Sequence, residues 1–282
     1  MIKKISSLKE LSNEYDAFFF DQWGVVHDGK KIFQDAELIF KYLHNLNKKI
    51  FIISNSGKRG IDNVNRMKQL GADYILKSPL ITSGDVCFDC LINKKLPFQN
   101  LGNKYFVIAT DYPLLENTSF EKVSKIEMSD FLLLSSTTGF QNFEILDSIF
   151  QTAIKLQLPL ICSNPDILGI SGDNIHPSTG DLAIKYKRMG GVAFVIGKPG
   201  LEIFQHAYEL SQCKKSKILM IGDSLFNDIA GANSFKIDSL LITSGIHRKE
   251  FLQNMNDEDI IGEIKSDYQT TGFPEYIMER LQ

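Results

Sequence analysis

The chain has one tryptophan, eight prolines and four cysteines among 282 residues, and no apolar run long enough to cross a bilayer. A spanning helix needs roughly 20 consecutive, predominantly apolar residues, so no membrane partner is expected. Of the cysteines, just Cys87 and Cys90 form a C-x-x-C pair, within "GDVCFDCLI". No second ligand pair follows at zinc spacing, and we read the pair as a buried helix face. Lysines come in scattered doublets, and the formal net charge is -3. A nucleic-acid footprint needs basic residues gathered on one face, so no nucleic-acid partner is expected either. The stretch "MIKKISSLKELSNEYD" lacks a long apolar segment and does not read as a signal peptide. A cytoplasmic location is the expectation. No G-x-G-x-x-G follows the first predicted strand, which argues against a dinucleotide site.

What is present is a regular alternation. The chain is 43% hydrophobic, enough to bury one large core or two moderate ones. Short apolar runs alternate with amphipathic stretches of helical period, the pattern of an α/β protein with a parallel sheet. The predicted core strands are "DAFFF", "KKIFIIS", "VAFVIG", "KILMIG" and "IDSLLIT". A second set, "KYFVIAT", "FLLLSS" and "LPLICS", lies between them. We read residues 86–190 as an inserted α/β domain, and 1–85 with 191–282 as a discontinuous core. "GFPEYIMERL" reads as a closing helix that begins near Pro274.

Ligands of open parallel sheets bind beyond the carboxyl ends of the strands. Those ends carry Asp21, Ser54 with Asn55, Lys198, and Asp223, and Asp228 opens the next helix. Three carboxylates brought together repel one another unless a cation sits among them. Mg²⁺ suits such a place, because it prefers carboxylate oxygens and partners phosphate. Ser54 and the amides after it could hold phosphate oxygens where a helix begins. Lys198 could neutralise the same phosphate.

In this order the motifs "FFFDQWGV", "IISNS", "IGKPG" and "IGDSLFNDIAGA" resemble those of the haloacid dehalogenase superfamily of aspartate-nucleophile phosphatases, across nearly the whole chain. The insertion between the second and third motifs, with "NPD" at Asn164 to Asp166, is similar to the cap of the class IIA branch. The resemblance implies a Rossmann-like parallel-sheet core with an inserted α/β cap. It implies Asp21 as the nucleophile of a Mg²⁺-dependent phosphatase acting on a small phosphorylated metabolite, such as a sugar phosphate. The metal ligands would be Asp21, Asp223, the backbone carbonyl of Trp23 and, directly or through water, Asp228. Ser54, Asn55 and Lys198 would hold the phosphoryl group. Asp166 and His176 in the insertion are candidate substrate contacts, and a homodimer through the insertion is plausible.

One position departs from the family pattern. Two residues after the nucleophile most members carry a second aspartate, which protonates the leaving group and activates water; here the residue is Trp23. An indole N–H is neither a usable acid nor a base. General acid–base catalysis contributes about 10²- to 10⁴-fold, so a slow or selective enzyme is expected. His27 and Asp28 are the candidate replacements for the missing acid. The alternative is a protein that binds a phosphorylated ligand without hydrolysing it.

Overall fold

The computed structural model describes residues 2–171, 174–253 and 255–282, with the side chains of 168–176 outside that description. In chain order the strands and helices are β1 (Lys3–Lys4), β2 (Ala17–Asp21), α1 (Gln34–Asn45), β3 (Lys49–Ser54), α2 (Gly60–Gln69), β4 (Leu80–Thr82) and α3 (Ser83–Ile92). There follow β5 (Lys104–Val107), β6 (Glu121–Lys122), β7 (Phe131–Leu134), α4 (Ile145–Lys155), β8 (Leu160–Cys162), β9 (Leu168–Ser171), β10 (Asn174–Pro177) and α5 (Thr179–Arg188). The chain closes with β11 (Ala193–Val195), α6 (Leu201–Ser211), β12 (Ile218–Gly222), α7 (Ala230–Phe235), β13 (Asp238–Ile242), α8 (Asp257–Asp267) and β14 (Tyr276–Met278). No helix among the described residues is long and apolar enough to cross a membrane.

The chain divides into two compact units, one of residues 1–54, 64–81 and 198–282, the other of 55–63 and 82–197. Among the described residues the first unit is built on a sheet of order β1-β14-β13-β12-β2-β3-β4. The apolar run of β2 explains its interior place. Phe18, Phe19 and Phe20 are each fully buried, as a strand covered on both faces requires. Each contributes about 1.5–3 kcal/mol relative to an exposed ring. Phe20 packs on Phe40 of α1 at 4.7 Å, and Phe19 meets Phe51 of β3 edge-on at 5.5 Å. The second unit holds a sheet of order β11-β8-β7-β5-β6 and the antiparallel pair β9–β10. Cys87 and Cys90 lie buried on α3.

Two sequence expectations need correction. "VAFVIG" was expected in the core sheet, but β11 pairs in parallel with β8, Phe194 opposite Ile161. A three-residue apolar run carries the same signal in either sheet, and its partner is set by long-range contacts. The end of the chain was expected to be a helix. Instead β14 pairs with β13, Ile277 opposite Leu241, and with β1. An isolated ten-residue helix is marginal, whereas the strand buries Tyr276, Ile277 and Met278 and satisfies its backbone in two ladders.

A buried histidine in the first unit makes the fold acid-sensitive. His247 packs edge-on against Phe226 and Tyr268, and its Nε2 accepts the amide of Leu225 at 3.2 Å. Burial pushes its pKa down from 6.5 to about 4. Between those values the unfolded chain binds the extra proton first, so stability is fully present above pH 6.5 and falls as the pH drops toward 4. The loss amounts to about 3 kcal/mol. His247→Gln keeps an acceptor for Leu225 and does not titrate. Urea unfolding of this variant should therefore show a stability slope lower by about 1.4 kcal/mol per pH unit across that window; an unchanged slope would refute the assignment.

Candidate active site

Parallel pairing brings the strand ends of the first unit to one edge. β2 lies between β12 and β3, with Phe20 opposite Ile221 and Asp21 opposite Ile53. Asp21 thus ends an interior strand beside Ser54, which ends β3, while Asp223 follows Gly222 directly after β12. Glycines make the approach around Asp223 possible. A Cβ at Gly24, where φ is +77°, would lie 2.0 Å from Asp223 Oδ2, and one at Gly245 would lie 2.1 Å from it. No side chain fits at either place.

Asp228 is aimed by an irregular turn. Leu225–Ile229 form a π-helical turn, capped by the Ser224 hydroxyl, which accepts the amide of Asn227 at 3.1 Å. Such turns occur mostly as single insertions at functional places. Asp228 Oδ2 accepts the Ser224 amide at 3.1 Å, leaving Oδ1 to accept from Lys198 Nζ at 2.7 Å. The same ammonium donates to Asp21 Oδ1 at 2.5 Å and to the Ile53 carbonyl at 3.0 Å. Lys198 is 1% exposed, so these bonds form away from water.

Asp21, Asp223 and Asp228 each place a carboxylate oxygen within 4.8 Å of the others. One lysine cannot balance three carboxylates. Burial therefore pushes Asp21 above the ordinary carboxylate range, Lys198 opposing and Asp228 adding to the rise. Asp223 is raised by burial and by Asp21 and Asp228, with the Ile246 amide opposing. Burial works to lower Lys198, and the two carboxylates outweigh it and hold the ammonium above its usual range. This crowd of hard oxygen donors, short of positive charge, fits a divalent cation of the Mg²⁺ kind.

Lys198→Met should be costly in metal-free buffer, because it strands two buried carboxylates without their cation. A loss of about 3–5 kcal/mol is expected in urea unfolding, partly recovered on adding Mg²⁺. A loss under 1 kcal/mol would mean that the ammonium does not hold the cluster together.

Trp23, His27 and Asp28 lie on the loop after β2. Trp23 and His27 bridge as an isolated β pair, and the Gly24 amide donates to the His27 carbonyl at 2.9 Å. His27 is fully buried, its ring edge-on to Trp23 at 4.7 Å. Its Nδ1 accepts the Gly29 amide at 2.9 Å, which puts the proton on Nε2. Burial, with Arg66 next, pushes its pKa down to about 4. A neutral ring with its lone pair engaged has nothing to offer as a base, and it is a very weak acid. Asp28 Oδ1 accepts the amides of Lys30 and Lys31, each at 2.9 Å, and so closes the loop locally. Burial works to raise Asp28, and these amides outweigh it and hold the carboxyl below its usual range.

Asn55 and Asp166 both belong to the second unit, where Asn55 Nδ2 donates to Asp166 Oδ1 at 2.8 Å. These two residues, anticipated separately at phosphate and substrate, are hydrogen-bonded to each other. Asp166 is set by the "NPD" turn, its amide donating to Asn164 Oδ1 at 3.0 Å. His176 lies in β10, and its side chain is outside the described residues. Sequence reasoning missed Arg66, whose guanidinium sits 4.8 Å from the Trp23 ring centroid. A single arginine on an amphipathic, solvated helix carries no signal of that kind.

A family model for haloacid dehalogenase-like hydrolases matches residues 18–117, which include Asp21 and Ser54. A second model, HAD-hydrolase-like, matches residues 195–265, which include Lys198, Asp223 and Asp228. The chain belongs to the haloacid dehalogenase superfamily. Within the superfamily it falls in the class IIA branch. A curated relative, the dihydroxyacetone phosphatase of Corynebacterium glutamicum, is 31% identical over 121 residues, 42% of each chain. The matched stretch thus spans less than half of that relative. A haloacid dehalogenase-like hydrolase from Brucella suis is 25% identical with a TM-score of 0.83, over 99% of this chain and 100% of the other. A possible sugar phosphatase of the superfamily from Cytophaga hutchinsonii is 25% identical with a TM-score of 0.80, over 99% and 98%.

Proposed function

We propose that the chain is a phosphoric monoester hydrolase that removes the phosphoryl group from a small phosphorylated metabolite, a sugar phosphate being the first class to test. One observation carries the reading: the Lys198 ammonium bridges Asp21 and Asp228, with Asp223 within 4.8 Å of both carboxylates. A site that merely held phosphate would have no use for three carboxylates, which repel it. They make sense where one of them attacks phosphorus and cations neutralise the rest.

In the first step an Asp21 oxygen attacks phosphorus, and the bond to the leaving oxygen breaks with its electron pair. In the second, water attacks the aspartyl phosphate, releasing inorganic phosphate and restoring the Asp21 carboxylate. Lys198 keeps Asp21 ionised and oriented throughout. The Ser54 hydroxyl and the amides after it hold phosphoryl oxygens. A bound Mg²⁺, held by Asp21, Asp223, Asp228 and the Trp23 carbonyl, would neutralise charge on the phosphoryl group. No side chain of the loop supplies the leaving group with a proton, since Trp23 has none to give and His27 is neutral with its lone pair engaged. The reaction therefore favours leaving groups that are stable as anions.

The test is p-nitrophenyl phosphate hydrolysis with and without metal. EDTA should reduce turnover to background, and Mg²⁺ should restore it. Turnover that ignores EDTA would remove the metal from the reading. An absence of hydrolysis in Mg²⁺, with phosphate esters still bound, would establish the non-hydrolysing alternative instead.

A further inference from the structure

The loop that carries Trp23 also carries a group of hydrogen-bond donors. The indole is fixed on three sides. A Cβ at Gly29 would stand 2.3 Å from Trp23 Cζ3, so the ring lies against the loop backbone. His27 meets it edge-on, and the Arg66 guanidinium sits 4.8 Å from its centroid. Arg66 Nη2 donates to the Gly29 carbonyl at 3.4 Å. Among the described residues no carboxylate lies within ion-pair distance of this arginine, and the indole N–H makes no hydrogen bond. Arg66 is exposed and Trp23 half-buried. A guanidinium has five N–H donors in a planar fork. The surface formed by Arg66 and Trp23 thus offers donors and positive charge, and it begins two residues after Asp21.

We infer that Arg66, held against Trp23, is a specificity-determining residue that receives a second anionic group of the substrate, a carboxylate or a second phosphate, on the leaving-group side of the scissile bond. The inference rests on the phosphatase reading above. Planar bidentate pairing with an oxyanion is what a stacked guanidinium does best. Part of its usual cost is already met, because the indole orders the side chain before ligand arrives. An aspartate in place of Trp23 would pair with such an arginine, which would occupy the cation and weaken the carboxyl as an acid. Tryptophan leaves the cation available.

The experiment compares matched substrates under Mg²⁺: 3-phosphoglycerate against glycerol 3-phosphate, and fructose 1,6-bisphosphate against fructose 1-phosphate. The wild-type protein should prefer the member with the additional anionic group in at least one pair by about 10-fold or more in kcat/KM, and the pair that responds identifies carboxylate or phosphate. Arg66→Gln should bring the preference to within about 2-fold, through KM rather than kcat. Arg66→Lys, which keeps the charge and loses the fork, should fall between. A structural role alone would lower kcat on both members of a pair equally. Equal kcat/KM for both members of both pairs in the wild type overturns the inference while leaving the phosphatase reading intact. If no substrate is hydrolysed, that reading fails on its own, and the same pairs are compared as ligands by calorimetry. Equal affinity then overturns the inference, and tighter binding of the anionic member, lost in Arg66→Gln, supports it.

Discussion

Asp21→Asn is expected to abolish phosphomonoester hydrolysis, with a fall in kcat on the order of 10⁴ or more, while the fold keeps its stability. The substitution preserves shape and removes the attacking carboxylate. It also removes one of three buried carboxylates served by a single lysine, and Lys198 retains Asp228 at 2.7 Å. The melting temperature should therefore stay level or rise, because the repulsion that raises Asp223 is partly relieved. p-Nitrophenyl phosphate turnover and thermal unfolding on the same preparation separate the two effects. Residual activity within 10-fold of the parent would show that Asp21 is not the nucleophile. A large fall in melting temperature would make the loss of activity uninformative about chemistry and would contradict the charge argument.

Trp23→Asp should act in the opposite direction. Installing a carboxylic acid at the leaving-group position should raise kcat for alkyl phosphates by about 10²-fold, the lower end of what general acid–base catalysis contributes. Arg66 explains the lower end. Its guanidinium, now 4.8 Å from the indole centroid, would pair with the new carboxylate and favour the ionised form. Combining Trp23→Asp with Arg66→Gln should therefore yield a further gain. For p-nitrophenyl phosphate, whose leaving group is stable as an anion, the gain should be no more than about 3-fold. The readout is the ratio of kcat for glycerol 3-phosphate to that for p-nitrophenyl phosphate. An unchanged ratio would mean that proton transfer to the leaving group does not limit the parent.

Asp21 and Trp23, the residues replaced in these two predictions, were already marked by the sequence. The phenylalanine run before Asp21 requires a strand buried on both faces, and such a strand belongs in the interior of a parallel sheet, where β2 lies. The small and acidic clusters after "FII" and "MIG" follow from the same rule, since parallel pairing sends each of those strand ends to one edge. Asp21, Asp223 and Asp228 were legible as a group for that reason. So was the substitution at Trp23, which is visible against the family pattern and nowhere else.

Other features were out of reach of pattern. The same three-residue apolar run could serve either sheet, and only long-range pairing placed β11 beside β8. "EYIMERL" scans as a helix, yet two ladders and the burial of Tyr276 to Met278 make it an edge-side strand. The hydrogen bond from the Gly29 amide to His27 Nδ1 turned a candidate base into a neutral, engaged ring. Asn55 and Asp166, 111 residues apart, became each other's partners at 2.8 Å. Arg66 came to Trp23 from a helix whose sequence reads as an ordinary solvated face.

By itself, then, the amino-acid sequence determined the sheet's interior strands, the carboxylates at their ends and the tryptophan two residues after Asp21. Each of these is written in a short window, through burial period, turn residues and charge. The tertiary structure decided which donor meets which acceptor, and so the state of His27, the pairing of Asn55 and the reach of Arg66. Those choices are contacts between segments distant in the chain, where side-chain direction and desolvation, rather than local composition, select the partner.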